Sequence, residues 1–356
     1  MESDPTNHLS SSGSSRLEVM GLATLVGLSL VALTIGRTVQ APPSLLVLVL
    51  MVSPIWTLLV GLLGTVLLLR HPSDTRIWGL LVIQLGLWLG VWGRAWWATP
   101  QPAAGETVRV MAWNVQRLGF EDSDEGALLR CVKQAMEAAD PDLVSLMEVS
   151  GRDIERLSES LDMHCQYVDY RGTGSDKRGG LAACSVGTEW RLGRAGPRRF
   201  LEDSDWYFVF SEMVRQDAQQ VVNLISVHLQ PNRLVLTGPA SPGAVAETHR
   251  ESAEALLARM AALQDPTVVA GDFNSTRETP LHGALRTHLV DVYEQAAWGP
   301  GVTVSAAGFL PLRVDFVYAT PDLPAVRAWI PEVDCSDHRP VVADIGLPQP
   351  WDRGGG

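Results

Sequence analysis

Residues Ser44–Leu69 form a run of 26 positions without one Asp, Glu, Lys or Arg, and few soluble folds can bury such a segment. Two more apolar stretches flank it. Leu17–Gly36 is marred only by Glu18 at its edge, and Ile77–Gly93 is extended by Arg94, Trp96 and Trp97. A membrane span takes about 20 residues, and all three stretches meet that need, the last with Arg94 snorkelling to the interface. Pro54 falls near the middle of the central run and predicts a kink there. A buried hairpin in a soluble protein is disfavoured by the length of the central run. A cleavable signal peptide fits worse, since no basic segment leads the first stretch and two more follow it. The sequence therefore predicts three transmembrane helices over residues 17–98, preceded by a Ser-rich, disordered tail over 1–16.

Charge is partitioned along the chain. Of the 28 Lys+Arg and 40 Asp+Glu, residues 1–104 hold 5 and 4, leaving 23 and 36 for the rest, a net of −13. That balance lacks the basic surface on which nonspecific nucleic-acid binding rests. The one basic patch, Arg191, Arg194, Arg198 and Arg199, reads as a solvated turn in preference to an anion contact. Arg16, Arg70 and Arg76 outnumber Arg37 and Arg94, so the positive-inside rule favours a cytoplasmic tail and an extracytoplasmic domain on a multi-pass plasma-membrane protein. Gly86 and Gly90 match a small-xxx-small motif, for packing among the chain's own helices or with a second copy. Cys131, Cys165, Cys184 and Cys335 show no zinc-like spacing. They are expected to be isolated buried thiols, with pairing open to an exported domain.

Thr99–Gly105 is a short Pro/Ala/Gly linker, 106–347 a soluble domain, and 348–356 a disordered tail. The domain opens with a β-rich segment at Val108–Asn114, a helix over Glu125–Ala139 and an apolar strand at Asp142–Glu148. Further strands are predicted at 181–186, 206–214, 220–228, 267–271, 313–318, 325–333 and 340–345, and a second helix over Glu247–Leu263. Many strands with few helices between them suggest packed sheets with helices outside, an α/β sandwich. Gln230–Ala246, rich in Pro and Gly, reads as a long functional loop or lid.

Polar residues stand at the ends of several apolar strands: Asn114, Glu148, His228, Asp272 with Asn274, Asp315, and Asp337–His338. One acid at a strand end is usually a turn residue or cap. Six such strands are different, because sheets can gather their tips. The set holds carboxylates, amides and two histidines, without a nucleophilic Ser or Cys. That inventory suits a hard, oxygen-liganded cation and an activated water.

With these motifs in their order, the chain resembles the endonuclease/exonuclease/phosphatase (DNase I-like) superfamily. The matching segments are Met111–Gln116, Asp142–Glu148, Arg178–Ala182, Ser226–Leu229, Gly271–Ser275, Val314–Tyr318 and Ser336–Val341. The resemblance implies a two-sheet α/β sandwich with one active site at the sheets' shared edge, here preceded by three transmembrane helices. It implies that Glu148 is the principal metal carboxylate, with Asn114 and Asp337 beside it, for Mg²⁺ or Mn²⁺. Asp272 would deprotonate the attacking water and Asn274 hold the phosphate. His338, supported by Asp315, would stabilise developing charge, and His228 would bind phosphate or protonate the leaving group. The Glu that some nuclease members place beside the first histidine is missing; Asp176 is the local candidate. A membrane-anchored phosphohydrolase of a lipid-linked phosphodiester or pyrophosphate is expected, and a membrane-tethered nuclease is the alternative. The architecture is also similar to bacterial membrane proteins of the superfamily linked to teicoplanin resistance.

Overall fold

The computed structural model describes residues 7–35, 44–102, 105–118, 125–169, 179–202, 206–216, 220–232, 241–306, 308 and 310–348. Helix α1 (Asn7–Ile35) starts inside the stretch expected as a disordered tail. Once nucleated by its apolar half, a helix gains one hydrogen bond per added residue and propagates outward. The central run is split into α2 (Ser44–Met51) and α3 (Ser53–Arg70). Val52 departs from helical geometry, with ψ at 11°, and Pro54 sits in the first turn of α3, where its missing N–H is not needed. Helix α4 (Thr75–Trp92) starts at Asp74, whose carboxylate accepts the Arg76 N–H, and ends in a 3₁₀ turn at Gly93–Trp96.

Of the three spans expected, the structure matches two by length. Among the described residues, Arg16–Thr34 and Ser53–Arg70 are long and apolar enough to cross a membrane, and Thr75–Val91 is a shorter apolar helix. Gln84 on α4 donates from Nε2 to the Thr57 carbonyl of α3 at 2.5 Å. The close approach is at Gly64, where an added Cβ would lie 2.6 Å from Leu81. Gly86 and Gly90 meet nothing within 4 Å, so that motif faces away from the chain's own helices.

Beyond the helices the order is β1 (Thr107–Leu118), α5 (Glu125–Ala139), β2 (Leu143–Val149), α6 (Gly151–Leu161), β3 (Met163–Asp169) and β4 (Gly180–Val186). Then come β5 (Trp190–Arg199), β6 (Tyr207–Arg215), β7 (Val221–His228), α7 (Pro242–Met260), β8 (Thr267–Asp272) and α8 (Pro280–Leu285). The chain closes with β9 (Val290–Asp291), α9 (Val292–Ala296), β10 (Val304–Ala306), β11 (Leu310–Leu312), β12 (Asp315–Ala319), β13 (Ala325–Trp329) and β14 (Val341–Gly346). One six-stranded sheet runs β13-β14-β1-β2-β4-β3, the other β5-β6-β7-β8-β12-β9, and β10-β11 is a separate hairpin. Among the described residues, only β1/β2 and β7/β8 pair in parallel.

Strand alternation builds the sandwich. Val108, Val110 and Ala112 of β1 face Val222, Leu224, Val268 and Ala270 of the opposite sheet across one buried cluster. Their neighbours Met111, Trp113 and Val115 point the other way, under α5 and α6. A period of two thus gives each sheet an inner and an outer apolar face.

Three further readings change. Cys165 and Cys184 stand opposite each other on β3 and β4 and form a disulfide, and Cys131 on α5 bridges Cys335. Isolated thiols are therefore overturned, by contacts that the sequence separation of 204 between Cys131 and Cys335 conceals. The basic patch lies on edge strand β5 and not in a turn, and Arg194 is bound there by Glu212. Helix α7 starts at Pro242, capped by Ser241, inside the stretch expected as a lid; residues 233–240 fall outside the described set.

The helices are docked on the sandwich. Ser44 Oγ accepts the Gly243 N–H at 3.2 Å, Arg277 donates to the Val91 carbonyl at 2.9 Å, and Trp96 meets Trp298 edge to face at 4.4 Å. Even the expected linker is held, through Gln101 N–H to the Ala325 carbonyl.

Candidate active site

The same alternation that fills the core brings the polar strand ends together. On β7, Val222, Leu224 and then His228 share the inner face; on β8, Val268, Ala270 and Asp272 do so; on β12, Asp315 precedes Val317 and Ala319. Register completes the assembly, with Asp272 opposite Asp315 in the antiparallel pair and beside His228 in the parallel one. Asn114 extends the inner row of β1.

Glu148 breaks the rule. Alternation would send it to the outer face of β2, but it is the extra residue of a β-bulge between Met147 and Val149, with φ at 56°. The bulge turns its carboxylate to the cluster. Gly179 makes room for it: φ there is 100°, and a Cβ would lie 3.0 Å from the Glu148 backbone. Gly271 has a similar task beside Asp272, since a Cβ would fall 1.9 Å from the Val227 carbonyl oxygen.

Asp272 Oδ2 is the hub. Asn114 Nδ2 donates to it at 3.0 Å and to Glu148 Oε1 at 3.3 Å. Nε2 of His228 lies 3.7 Å from the same oxygen and 3.8 Å from Glu148, and Nε2 of His338 lies 3.9 Å from it. Oδ1 of Asp272 accepts the Asn274 N–H at 2.8 Å. Asn274 itself adopts φ of 49° and commits one side-chain N–H to the Leu229 carbonyl. Asp315 is fully buried and accepts from His338 Nδ1 at 2.8 Å.

The loop bearing Asp337 and His338 is tethered at several points. Ser336 Oγ donates to the Asn114 carbonyl at 2.7 Å and accepts the His338 N–H at 3.1 Å. Trp113 Nε1 donates to the His338 carbonyl, and Cys335 is tied to α5 by its disulfide. Thr303 Oγ1 accepts the N–H groups of Val314 and Asp315.

Burial, then the charge of Asp315, pushes the Asp272 carboxyl up against the opposing pull of His338 and two hydrogen bonds. Burial alone would lower His338, but the carboxylates of Asp315 and Asp272 outweigh it and raise its imidazolium above the ordinary value. Burial also raises Asp337, with Glu148 adding to the rise and His338 opposing it.

All eight sequence-derived residues therefore have places in or beside one cluster; Asp176 lies outside the described residues. Three contributors escaped the sequence reading. Trp206 packs edge to face on His228 at 5.7 Å, Asn232 donates to the Asn274 carbonyl, and Thr303 supports Asp315. None belongs to a motif that could have flagged it. His228, which the sequence leaves without an assured acidic neighbour, has two.

The donor set fits a hard divalent cation. Glu148, Asp272 and Asp337 offer carboxylate oxygens, Asn114 an amide oxygen, and no thiol is present. Asp272, Asp315 and His338 also bring candidate ligand atoms within 4.8 Å of one another. Here His338 Nδ1 and Asp315 are already joined, so this trio reads better as a charge-linked relay than as a metal shell.

The family described as Endonuclease/Exonuclease/phosphatase family matches residues 111–338. No curated protein matches the chain. Among solved structures, an endonuclease/exonuclease/phosphatase from Bacteroides vulgatus gives a TM-score of 0.59 at 20% identity, over 68% of this chain and 100% of that one. A Bacteroides thetaiotaomicron mannosyl-6-phosphatase gives 0.55 at 16%, over 67% and 100%. TDP2 from D. rerio, complexed with single strand DNA product, gives 0.54 at 14%, over 68% and 100%. At such identities the likeness carries the fold and does not choose a substrate.

Proposed function

Because the chain belongs to the endonuclease/exonuclease/phosphatase family, whose members are metal-dependent phosphoric ester hydrolases, we propose that it is a membrane-anchored phosphohydrolase of a lipid-linked or cell-envelope phosphodiester or pyrophosphate. The observation that carries this reading is the docking of the apolar helices directly on the sandwich, through Ser44, Val91 and Trp96. A site so held faces substrates that share its bilayer. On this reading the apolar stretches over 17–98 are the anchor, 99–105 the connection and 106–347 the catalytic domain. The two disulfides support an oxidising, extracytoplasmic location for that domain. The similarity to teicoplanin-resistance proteins points to a polyprenyl pyrophosphate.

Glu148, Asn114 and Asp337 would hold Mg²⁺ or Mn²⁺, which when bound neutralises phosphate charge. Asp272, buried and with its carboxyl raised, takes the proton of the attacking water. Asn274 uses its remaining side-chain N–H on a phosphate oxygen. Asp315 fixes His338 as a cation with Nε2 turned to the developing charge. His228 binds phosphate or protonates the leaving oxygen. No covalent intermediate is required.

The test is a panel assay of the full-length protein in detergent with Mg²⁺, offering plasmid DNA, sphingomyelin, inositol phosphates and polyprenyl pyrophosphate side by side. Turnover of the polyprenyl ester with little DNA cleavage is expected. DNA cleavage alone would establish the second reading, a tethered nuclease, which the −13 charge of residues 105–356 disfavours.

A further inference from the structure

Soluble surfaces carry scattered apolar side chains, so one exposed residue says little by itself. Trp298 is a different case because of its place. Among the described residues beyond position 98 it is the one large hydrophobic side chain left exposed, at 71%. Every other such side chain lies between Leu17 and Trp97, in the apolar helices and at their end.

The loop that carries Trp298 is firmly built. Ala297 beside it is buried, and its N–H closes α9 on the Tyr293 carbonyl at 2.9 Å. Gly301 has φ of 66° and lies so near the Tyr293 ring that a Cβ would come within 2.6 Å of it. A tightly packed loop thus holds outward an indole that the core of the domain does not use.

The contact with Trp96 sets the depth of that indole. Gln84 bonds to the Thr57 carbonyl and Leu81 seats against Gly64, so α4 packs along α3, which is long enough to cross a bilayer. The 18 residues of α4 rise about 27 Å, close to a hydrocarbon thickness of about 30 Å. Trp78 stands in its first turn, and Trp96 and Trp97 follow its end, the placing of aromatic residues at two membrane interfaces. Trp298 meets Trp96 edge to face at 4.4 Å and therefore shares its depth, and Trp97 next to it is likewise 71% exposed. An indole joins a large apolar ring to one N–H donor, which suits the boundary between headgroups and acyl chains.

We propose that the catalytic domain makes its own contact with lipid: Trp298, beside Trp96 and Trp97, inserts into the interfacial layer of the bilayer. The proposal rests on the membrane-anchored reading above and adds to it a surface of the domain itself. The partner is the lipid surface, recognised by an aromatic side chain and not by charge.

All four cysteines are in disulfides, so a cysteine placed at 298 is the one free thiol. Full-length Trp298→Cys carrying a nitroxide is reconstituted in phosphatidylcholine/phosphatidylglycerol nanodiscs. Its access to oxygen and to a water-soluble Ni(II) chelate is then read by EPR. Two further single variants give the scale: Leu62→Cys, exposed midway along α3, and Arg191→Cys, exposed at the end of the sheet opposite His228. An oxygen-to-nickel ratio at 298 above that at 191, and up to that at 62, is expected. A ratio equal to that at 191, with 62 in lipid, overturns the insertion and leaves the anchor standing. Nickel reaching 62 as freely as 191 overturns the anchor itself. Shielding of 298 from both reagents means that a protein partner or a second copy covers it, and the lipid contact falls. The unaltered chain gives a second measurement, in vesicles holding a phosphatidylcholine with a diazirine near the headgroup end of its acyl chain. Photolysis should label the peptide that contains Trp298; label on α3 with none on 297–301 overturns the proposal.

Discussion

Glutamine at position 148 would keep the bulge, its φ of 56° and the oxygen that accepts from Asn114, and would remove only the charge. Glu148→Gln should therefore lower kcat by about 10²-fold or more while thermal stability changes little. EDTA should abolish turnover in the wild type, and Mg²⁺ should restore it. A fully active mutant, or full activity in EDTA, would exclude Glu148 from the metal site. The two histidines should fail differently. Asp315 holds His338 in the charged form through neutral pH, so His338→Ala loses charge stabilisation on every substrate, by roughly 10²–10³-fold. If His228 donates the proton, its loss should matter on a poor leaving group and far less on a nitrophenyl ester. Measuring kcat/KM of both variants on both esters separates the roles; equal losses for His228→Ala on the two esters would make it a phosphate ligand.

Helix α7 carries a second kind of histidine. His249 is fully buried with Nε2 against the Gln230 carbonyl, and burial pushes its pKa down from 6.5 to about 4. The unfolded chain takes up a proton as pH falls below about 6.5, while the folded one resists until about 4. Stability from this group is thus complete above 6.5 and is lost as pH falls through that window, by roughly 3 kcal/mol at most. Melting between pH 7 and 4.5 should show a shallower acid decline in His249→Gln than in the wild type, and parallel declines would refute the assignment. At the same scale, elements with strong local signals were legible in the sequence. Helix α5 ends at Asp140–Pro141 as expected, and the strands bearing Asn114, His228, Asp272 and Asp315 were visible as apolar runs with polar ends. Helix α6 is not legible, although Ser150 caps it and Ile154, Leu157 and Leu161 give it helical spacing, because it is short and nearly half of it is charged. Strands β3 and β5 were missed for want of alternation: β3 is half-exposed along most of its length, and β5 has a register shift between Leu192 and Ala195. Glu148 was found by its place at a strand end, yet its orientation depends on a bulge that no pattern of period two predicts.

For the molecule as a whole, the proposed anchor has a direction that sequence and structure both address. The excess of Arg16, Arg70 and Arg76 over Arg37 and Arg94, together with two disulfides in the domain, supports our proposal that residues 106–347 lie outside the cytoplasm. Protease added to intact spheroplasts should digest epitopes in that region; protection lost only on lysis would reverse the topology. Arg277 then acquires a further meaning. Three residues beyond Asn274, it donates to the Val91 carbonyl in the last turn of α4 and ties the loop after Asn274 to the helices. On the proposed reading, an enzyme so fixed would meet its substrate by lateral diffusion in two dimensions, and the concentration it senses would be the mole fraction of ester in the surface around it. Diluting the same ester with inert detergent at constant bulk concentration would slow such an enzyme, whereas one acting on a dissolved substrate would be indifferent to it.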